Sequence, residues 1–427
     1  MEGEVRSMRA LLSILAAAMV VTGCGRADVG PVPPSGDYKL YMATSTQSSQ
    51  LVNVIDTRSR TVERTLPSGT PSPDWTHLYV VQETALLDLN PQTGAVRHTL
   101  QMRGPFQLPP ATISGLPGGL SPDGRWLVLE AFDAPNNTAP PIATHFLLVD
   151  TSYANPSKQI DLAGQFEFDA VSNDGQRVYM IQYLSSDSYH VRMFNVATGH
   201  LDPTIVFDKT DGNTAMAGLK VSGVASRDGH WLYSLYIRKN QGAFIHALSL
   251  DGPIAFCLDL PGPGYASSED GFHWALALSA DGSHLYATNG AMGLIADLDS
   301  SNGAPNLTRT VHIAAPRQTA SLIQGVEAKG FGANGAVVTP DGRTLVTSGA
   351  TGVIWIDTDT LHVTGRQLTS WTVWSLALSP NGDELYAVND TGMIAEVSMA
   401  GTHAASTFAG GPGKPMALIR VQAAQAP

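Results

Sequence analysis

The stretch Glu269-Asp270-Gly271-Phe272-His273-Trp274 gathers two carboxylates, an imidazole and two aromatic rings. Carboxylate and imidazole together can bind a divalent cation or move a proton, and the rings can stack on a ligand. The same stretch also reads as a solvated loop entering a buried strand, because the apolar run Ala-Leu-Ala-Leu follows it. A second aromatic pair, Trp371 and Trp374, sits in Ser-Trp-Thr-Val-Trp. Three residues apart in a strand, these rings point to opposite faces, so only one can line a ligand site. Phe106, in the Pro-bound stretch Met102–Pro110, is either a contact residue or a packing residue. The stretch Asp297–Gly303 looks like a calcium loop, but Ser301 and the missing distal Glu break the pattern.

Much chemistry is excluded. The chain contains no His-Glu-x-x-His, no Gly-x-Ser-x-Gly, no Ser-x-x-Lys acylation signature, no Walker loop and no dinucleotide fingerprint. Its 12 histidines are scattered without ligand spacing. No cofactor is therefore expected, and a divalent metal is compatible with the carboxylates but specified by no motif. A net charge of −12, with 25 Lys and Arg against 37 Asp and Glu, argues against nucleic acid as a partner.

Whatever these residues do, turns and strands must position them. The segment Thr339-Pro340-Asp341-Gly342 is repeated as Ser121-Pro122-Asp123-Gly124, Ser172-Asn173-Asp174-Gly175, Ser226-Arg227-Asp228-Gly229, Ser279-Ala280-Asp281-Gly282 and Ser379-Pro380-Asn381-Gly382. Proline presets φ, Asp or Asn bonds back to the backbone, and glycine accepts positive φ, so each copy predicts a tight turn between strands. A degenerate copy, Ser72-Pro73-Asp74-Trp75, carries Trp where glycine belongs. Alternating residues follow each turn, then a second strand ending near Asp, then another turn and a third strand; a short apolar strand precedes the turn. Four antiparallel strands recurring every 40 to 60 residues predict an all-β fold, a single β-propeller. The strands that follow the turns number eight, from Tyr38–Thr44 to Glu384–Val388, and give eight four-stranded blades. Seven is the alternative, since the innermost strand before Asp74 is faint. The ring is expected to close because the first strand, near Tyr41, and the orphan last strand, Lys414–Val421, share one blade.

Leu51–Gly69 followed by Ser72–Val81 resembles the YVTN-type repeat, whose usual turn is Ser-Pro-Asp-Gly. The resemblance covers nearly all of residues 37–421. It implies a bacterial propeller of the group that includes surface-layer proteins, lactonase-like enzymes and large subunits of amine dehydrogenases. An amine-dehydrogenase-like subunit would need a separate partner carrying the cofactor. The Gly-His and Trp-Asp marks of WD40 repeats are absent.

In such a ring the Asp-Gly turns lie on one face. The other face carries the long connections: 101–117, 133–144, 208–219, 261–272 and 314–334. Long loops on a rigid scaffold are where binding residues collect. Candidate ligand-binding residues on that face are Arg103, Asp133, Asp211, Asn213, Glu269, Asp270, His273, Trp274, Arg317, Glu327, Trp371 and Trp374.

At the N-terminus an apolar stretch, Ala10–Val21, ends in Val21-Thr22-Gly23-Cys24. This resembles the bacterial lipobox, which implies a lipoprotein signal peptide over residues 1–23 and lipidation of Cys24. Residues 24–36 form a Pro/Gly-rich tether and 422–427 a tail. The expected location is the cell envelope, extracytoplasmic, on the outer face of the cytoplasmic membrane or on the outer membrane. Cys257 would then have no disulfide partner; with no base apparent nearby it reads as a structural thiol. The missing catalytic motifs and the tether point to a binding or scaffold module for a protein, peptide or glycan. The alternative is an enzyme of lactonase, hydrolase or oxidoreductase type at the channel mouth.

Overall fold

A computed structural model describes residues 36–136, 139–185, 188–208, 215–313 and 335–424. The expected signal peptide, Cys24 and nearly all of the tether lie outside the described residues. The described chain is all-β apart from one turn of 3-10 helix, Glu269–Phe272. Its strands form eight sheets, each a blade of a β-propeller.

Blade 1 is built from both ends of the chain. Tyr38–Ser45, Gln50–Asp56 and Thr61–Pro67 are its outer three strands, and Lys414–Ala423 is the innermost. Met42 faces Leu418, and the backbone N–H of Leu418 donates to Ser375 Oγ of blade 8 at 3.0 Å. The last strand runs to Ala423, two residues beyond the expected boundary.

The apolar core is a set of seams between blades. Each strand sends alternate side chains to opposite faces, and every face is covered by the neighbouring sheet. Tyr41, Val52 and Val54 pack with Trp75, Leu78 and Val80 of blade 2. Their strand neighbours Leu40, Met42 and Ile55 pack with Tyr386, Val388 and Ile394 of blade 8. Similar seams join the other neighbouring pairs.

The repeated turn is held by the hydroxyl of its first residue, besides the Asp and the glycine. In seven copies the Ser or Thr hydroxyl donates to the Asp or Asn two residues on, at 2.5–2.7 Å. The same oxygen accepts the backbone N–H five residues on, at 2.9–3.0 Å. Trp75 adopts the glycine conformation, with φ 59°. Left-handed backbone costs a non-glycine residue about 1–2 kcal/mol. Burial of its ring edge-on against Tyr41, 4.9 Å between centroids, offsets this.

Two blades depart from four regular strands. In blade 5 a short strand, Phe207–Asp208, adds in parallel to the outer strand Ile254–Asp259. In blade 3 the strands Trp126–Asp133, Ala143–Asp150 and Lys158–Ala163 are continuous, but the inner strand is broken. Gln107 pairs with Glu130 and Leu120 pairs with Leu127. The partner strand advances three residues between these bridges while the inner strand advances thirteen. The ten extra residues, 109–118, fold on themselves as a hairpin: Ala111 N–H donates to Leu116 C=O and Gly118 N–H to Pro109 C=O, at 2.8 and 2.7 Å. Pro109, Pro110 and Pro117 have no N–H to offer the blade, so the chain leaves the ladder there.

The turn network carries a test. Ser279 Oγ is bonded to both Asp281 Oδ1 (2.6 Å) and His284 N–H (2.9 Å). Ser279→Ala strands a backbone donor, and a cost of about 1–2 kcal/mol is expected in urea unfolding at pH 7. The Ser279 hydroxyl holds the Asp281 carboxyl well below the usual carboxylate range. Its stabilisation is complete above about pH 4 and fades as the pH falls toward the folded value. The mutational cost should shrink in acid; a cost independent of pH would count against the hydroxyl–carboxylate bond.

Candidate functional site

The expected site residues that are described lie at separate blades, 2, 3, 6 and 8. Arg103 is exposed at the turn following strand Val96–Gln101. Asp133 ends a blade 3 strand and lies 3.1 Å from His145 Nε2, while Asp161 lies 2.6 Å from His145 Nδ1. Asp161 first, then Asp133, raises the His145 pKa. This trio runs across the middle and outer strands of blade 3, away from the innermost strand.

Glu269 and Asp270 occupy the 3-10 turn, capped by Ser268, whose Oγ accepts the Asp270 N–H at 3.2 Å. The Asp270 carbonyl accepts from Asn289 Nδ2 at 2.7 Å, and Phe272 packs on Tyr265. His273 is half-buried beside them. Trp274 opens the inner strand of blade 6 and is 5% exposed, a core residue of the blade 5–6 seam. Among the described residues no group of three or more His, Cys, Asp or Glu is arranged to hold a metal ion. Asp211, Asn213, Arg317 and Glu327 lie outside the described residues.

Trp371 packs against the blade 7–8 seam. Trp374 falls at a bulge between Val373 and Ser375, where the register shifts, and Lys414 Nζ lies 5.9 Å from its ring centroid. The bulge and the short strand, which begins at Val373, replace the simple alternation expected of the pair. Phe106 is 4% exposed in the blade 2–3 seam, so packing is its role. Cys257 has a base after all: cross-strand pairing with His246 brings Sγ to 3.5 Å from Nδ1. Eleven residues of chain separate the two, and only the hairpin register joins them.

A different group of ionisable residues converges on the first and second strands of blades 3 to 5. Glu167 and Asp169 lie on Phe166–Val171, Lys220 on Leu219–Ala225, Tyr183 on Arg177–Ser185 and Glu130 on the second strand of blade 3. Both inner strands begin at the long-loop face; Glu167 and Lys220 are the second residues of theirs and lie near that face, while Asp169 is the fourth of six and lies nearer the Asp-Gly turn. Lys220 Nζ donates to Asp169 Oδ1 at 2.9 Å across the blade 4–5 boundary. Their side chains are 18% and 2% exposed, so the pair is largely withdrawn from water. Asp169 Oδ2 is buried and accepts no hydrogen bond among the described residues. Asp169 is also the extra residue of a bulge between Phe168 and Ala170, which re-aims its side chain. Tyr183 donates its hydroxyl to Glu167 Oε2 at 2.8 Å. Burial, then the Glu167 charge, pushes the Tyr183 hydroxyl pKa far up.

Glu130 is 1% exposed. Burial raises its pKa to about 7, against the Phe168 N–H bond (3.3 Å) and with the Glu167 charge adding to the rise. A carboxyl poised there exchanges a proton near neutrality. The sequence signal was available: Phe-Glu-Phe-Asp and Val-Leu-Glu-Ala place acids inside otherwise apolar strands.

The blade 3 hairpin reaches this group. The Ile113 N–H at its tip donates to the Lys220 carbonyl of blade 5 at 3.0 Å. A Cβ on Gly115 would lie 3.6 Å from Gln50 Nε2 of blade 1, which stands opposite blade 5 in the ring. Thr70 Oγ1 of blade 2 donates to Gly118 C=O at 2.6 Å. The hairpin therefore spans the mouth of the channel on the long-loop face.

No family model matches the chain, and no curated protein matches it in sequence. Solved structures share its architecture. Dihydro-heme d1 dehydrogenase NirN, solved in complex with DHE, matches over 91% of this chain and 75% of its own at 15% identity, with a TM-score of 0.53. The periplasmic gluconolactonase PpgL of Pseudomonas aeruginosa covers 90% of this chain and 99% of its own at 17% identity and TM-score 0.44. Hydrazine synthase of Kuenenia stuttgartiensis covers 79% and 99% at 13% identity and TM-score 0.41. The chain is thus similar in fold to bacterial β-propellers, and likeness at this identity carries the fold alone.

Glu130 offers a stability test. A folded pKa above the unfolded value favours the protonated folded form, so its contribution is full below about pH 4.5 and is lost as pH rises through about 7. Glu130→Gln keeps the acceptor for Phe168 N–H and removes the buried charge. It should stabilise the protein at pH 8 by on the order of 3 kcal/mol relative to its effect at pH 5. Equal melting shifts at both values would show that Glu130 stays ionised.

Proposed function

We propose that this protein is an envelope-anchored propeller lipoprotein that binds a ligand at the long-loop mouth of its channel. The observation that carries the reading is the buried Asp169–Lys220 pair on adjoining inner strands, with a buried Asp169 oxygen that accepts no hydrogen bond among the described residues. Burying charge is costly unless it is used or fully bonded. Glu167 with its Tyr183 partner adds a polar edge, so a small ligand rich in hydroxyl or amine donors, such as the end of a glycan, fits this chemistry. Cys24 lipidation would hold the domain at the membrane, the tether giving it reach.

The test is a thermal-shift panel of sugars, amino sugars and lactones on the protein from residue 36 onward, with Asp169→Asn alongside. A ligand at 100 times its Kd should add about 2.7 kcal/mol, and Asp169→Asn should abolish the gain. A ligand whose gain survives that substitution would place binding elsewhere; no gain across the panel would remove this class.

One feature favours an enzyme as the second reading: burial pushes the Glu130 carboxyl up to about 7 beside the same group, in the range that suits a general base. If lactones are hydrolysed, kcat/KM should bend near pH 7 and the bend should vanish in Glu130→Gln. Turnover with an unchanged profile in that variant would exclude Glu130 as the base.

A further inference from the structure

We infer that the hairpin 109–118 is a built-in stopper, a removable insert in blade 3 that closes the channel mouth over Lys220 and Asp169. This concerns the regulation of the proposed binding site and rests on that reading for its purpose, though not for its geometry.

Register shows that the hairpin is an insert. Gln107 opposite Glu130 and Leu120 opposite Leu127 are each in ordinary antiparallel register, and they are out of step by the hairpin's ten residues. Joining Leu108 to Gly119 would bring Gly119 opposite Val128, where its carbonyl already accepts the Val128 N–H at 2.9 Å. The blade would then have an unbroken inner strand like its neighbours. Nothing in the blade ladder depends on residues 109–118.

Position shows that it is a stopper. The base of the hairpin is tied to blade 2 through Gly118, and its tip lies between blade 1 and blade 5. The tip's polar link to the far wall is the Ile113 N–H to the Lys220 carbonyl. Residues 112–118 are half-buried, intermediate between blade core and free loop. Segments with few buried apolar contacts open at far lower cost than core strands. Opening the tip frees the Lys220 backbone and uncovers the side chain that pairs with Asp169, while every blade stays closed.

The experiment compares the unmodified protein, a variant lacking 109–118, and Ile113→Pro, which removes the tip donor. The probe is acylation of lysine amines by a water-soluble N-hydroxysuccinimide acetate, followed peptide by peptide by mass spectrometry. Lys39, paired with Asp56 and Glu63 in blade 1, is the internal control. Lys220 should label at least about tenfold faster in the excision variant and several-fold faster in Ile113→Pro, with Lys39 unchanged. In the unmodified protein the Ile113 amide should exchange hydrogen well ahead of the Val128 amide. A folded excision variant with unchanged Lys220 labelling overturns the stopper. Failure of that variant to fold overturns the insert argument, and Ile113→Pro with hydrogen exchange then decides whether the tip opens. Faster labelling with no ligand in the thermal-shift panel keeps the stopper and removes the binding reading; unchanged labelling with an Asp169-dependent ligand does the reverse.

Discussion

Every blade here is apolar on both faces, and no blade can bury either face alone. That constraint governs the molecule. Each sheet must lie between two others, so a row of blades is stable only when its ends meet. The seam that closes the row joins Leu40, Met42 and Ile55 to Tyr386, Val388 and Ile394, and Leu418 belongs to it as well. Removing exposed strand edges and covering the last apolar faces are one event. The pairing of Tyr38–Ser45 with Lys414–Ala423 spans nearly the whole described chain, a contact that must wait for everything between.

Closure sets the terms for any site. Inner strands are short and their side chains face either a seam or the channel, so charge inside the ring needs a partner or a use. Most buried acids on the middle strands are partnered: Asp150 by Arg125, Asp297 by Arg309 and His284. These fasten neighbouring strands or blades and require no further explanation. Asp169 differs because, among the described residues, one oxygen is bonded and the other is not. Glu130 differs because, among the described residues, its one donor is a backbone N–H at 3.3 Å. Residues that the scaffold does not need in that state are where function is sought.

The hairpin at 109–118 follows the same logic at the level of backbone. A propeller tolerates an insertion in its innermost strand because the ladder on either side keeps its register, and the channel supplies room for the excursion. Prolines at its base prevent the inserted residues from competing for the ladder. Blade 3 thereby gives up one continuous strand and the channel gains an element that reaches its opposite walls.

Period and turn chemistry were legible without any structure. The repeated Ser/Thr-x-Asp-Gly, the strand alternation and the orphan terminal strand state the all-β ring, its eight blades and its closure, because these follow from local φ preferences and period-two patterning. The site was not legible in the same way. Glu269, Asp270, His273 and Trp274 are near each other in sequence, yet a strand start turns Trp274 into the core while the 3-10 turn holds the acids outside. Glu130, Asp169, Lys220 and Tyr183 come from three blades, and Cys257 meets His246 across a hairpin. Proximity between blades depends on which side of each strand faces which neighbour, on bulges such as those at Asp169 and Trp374, and on where an insert comes to rest. Local sequence encodes the unit; only the packed ring decides which units share a wall.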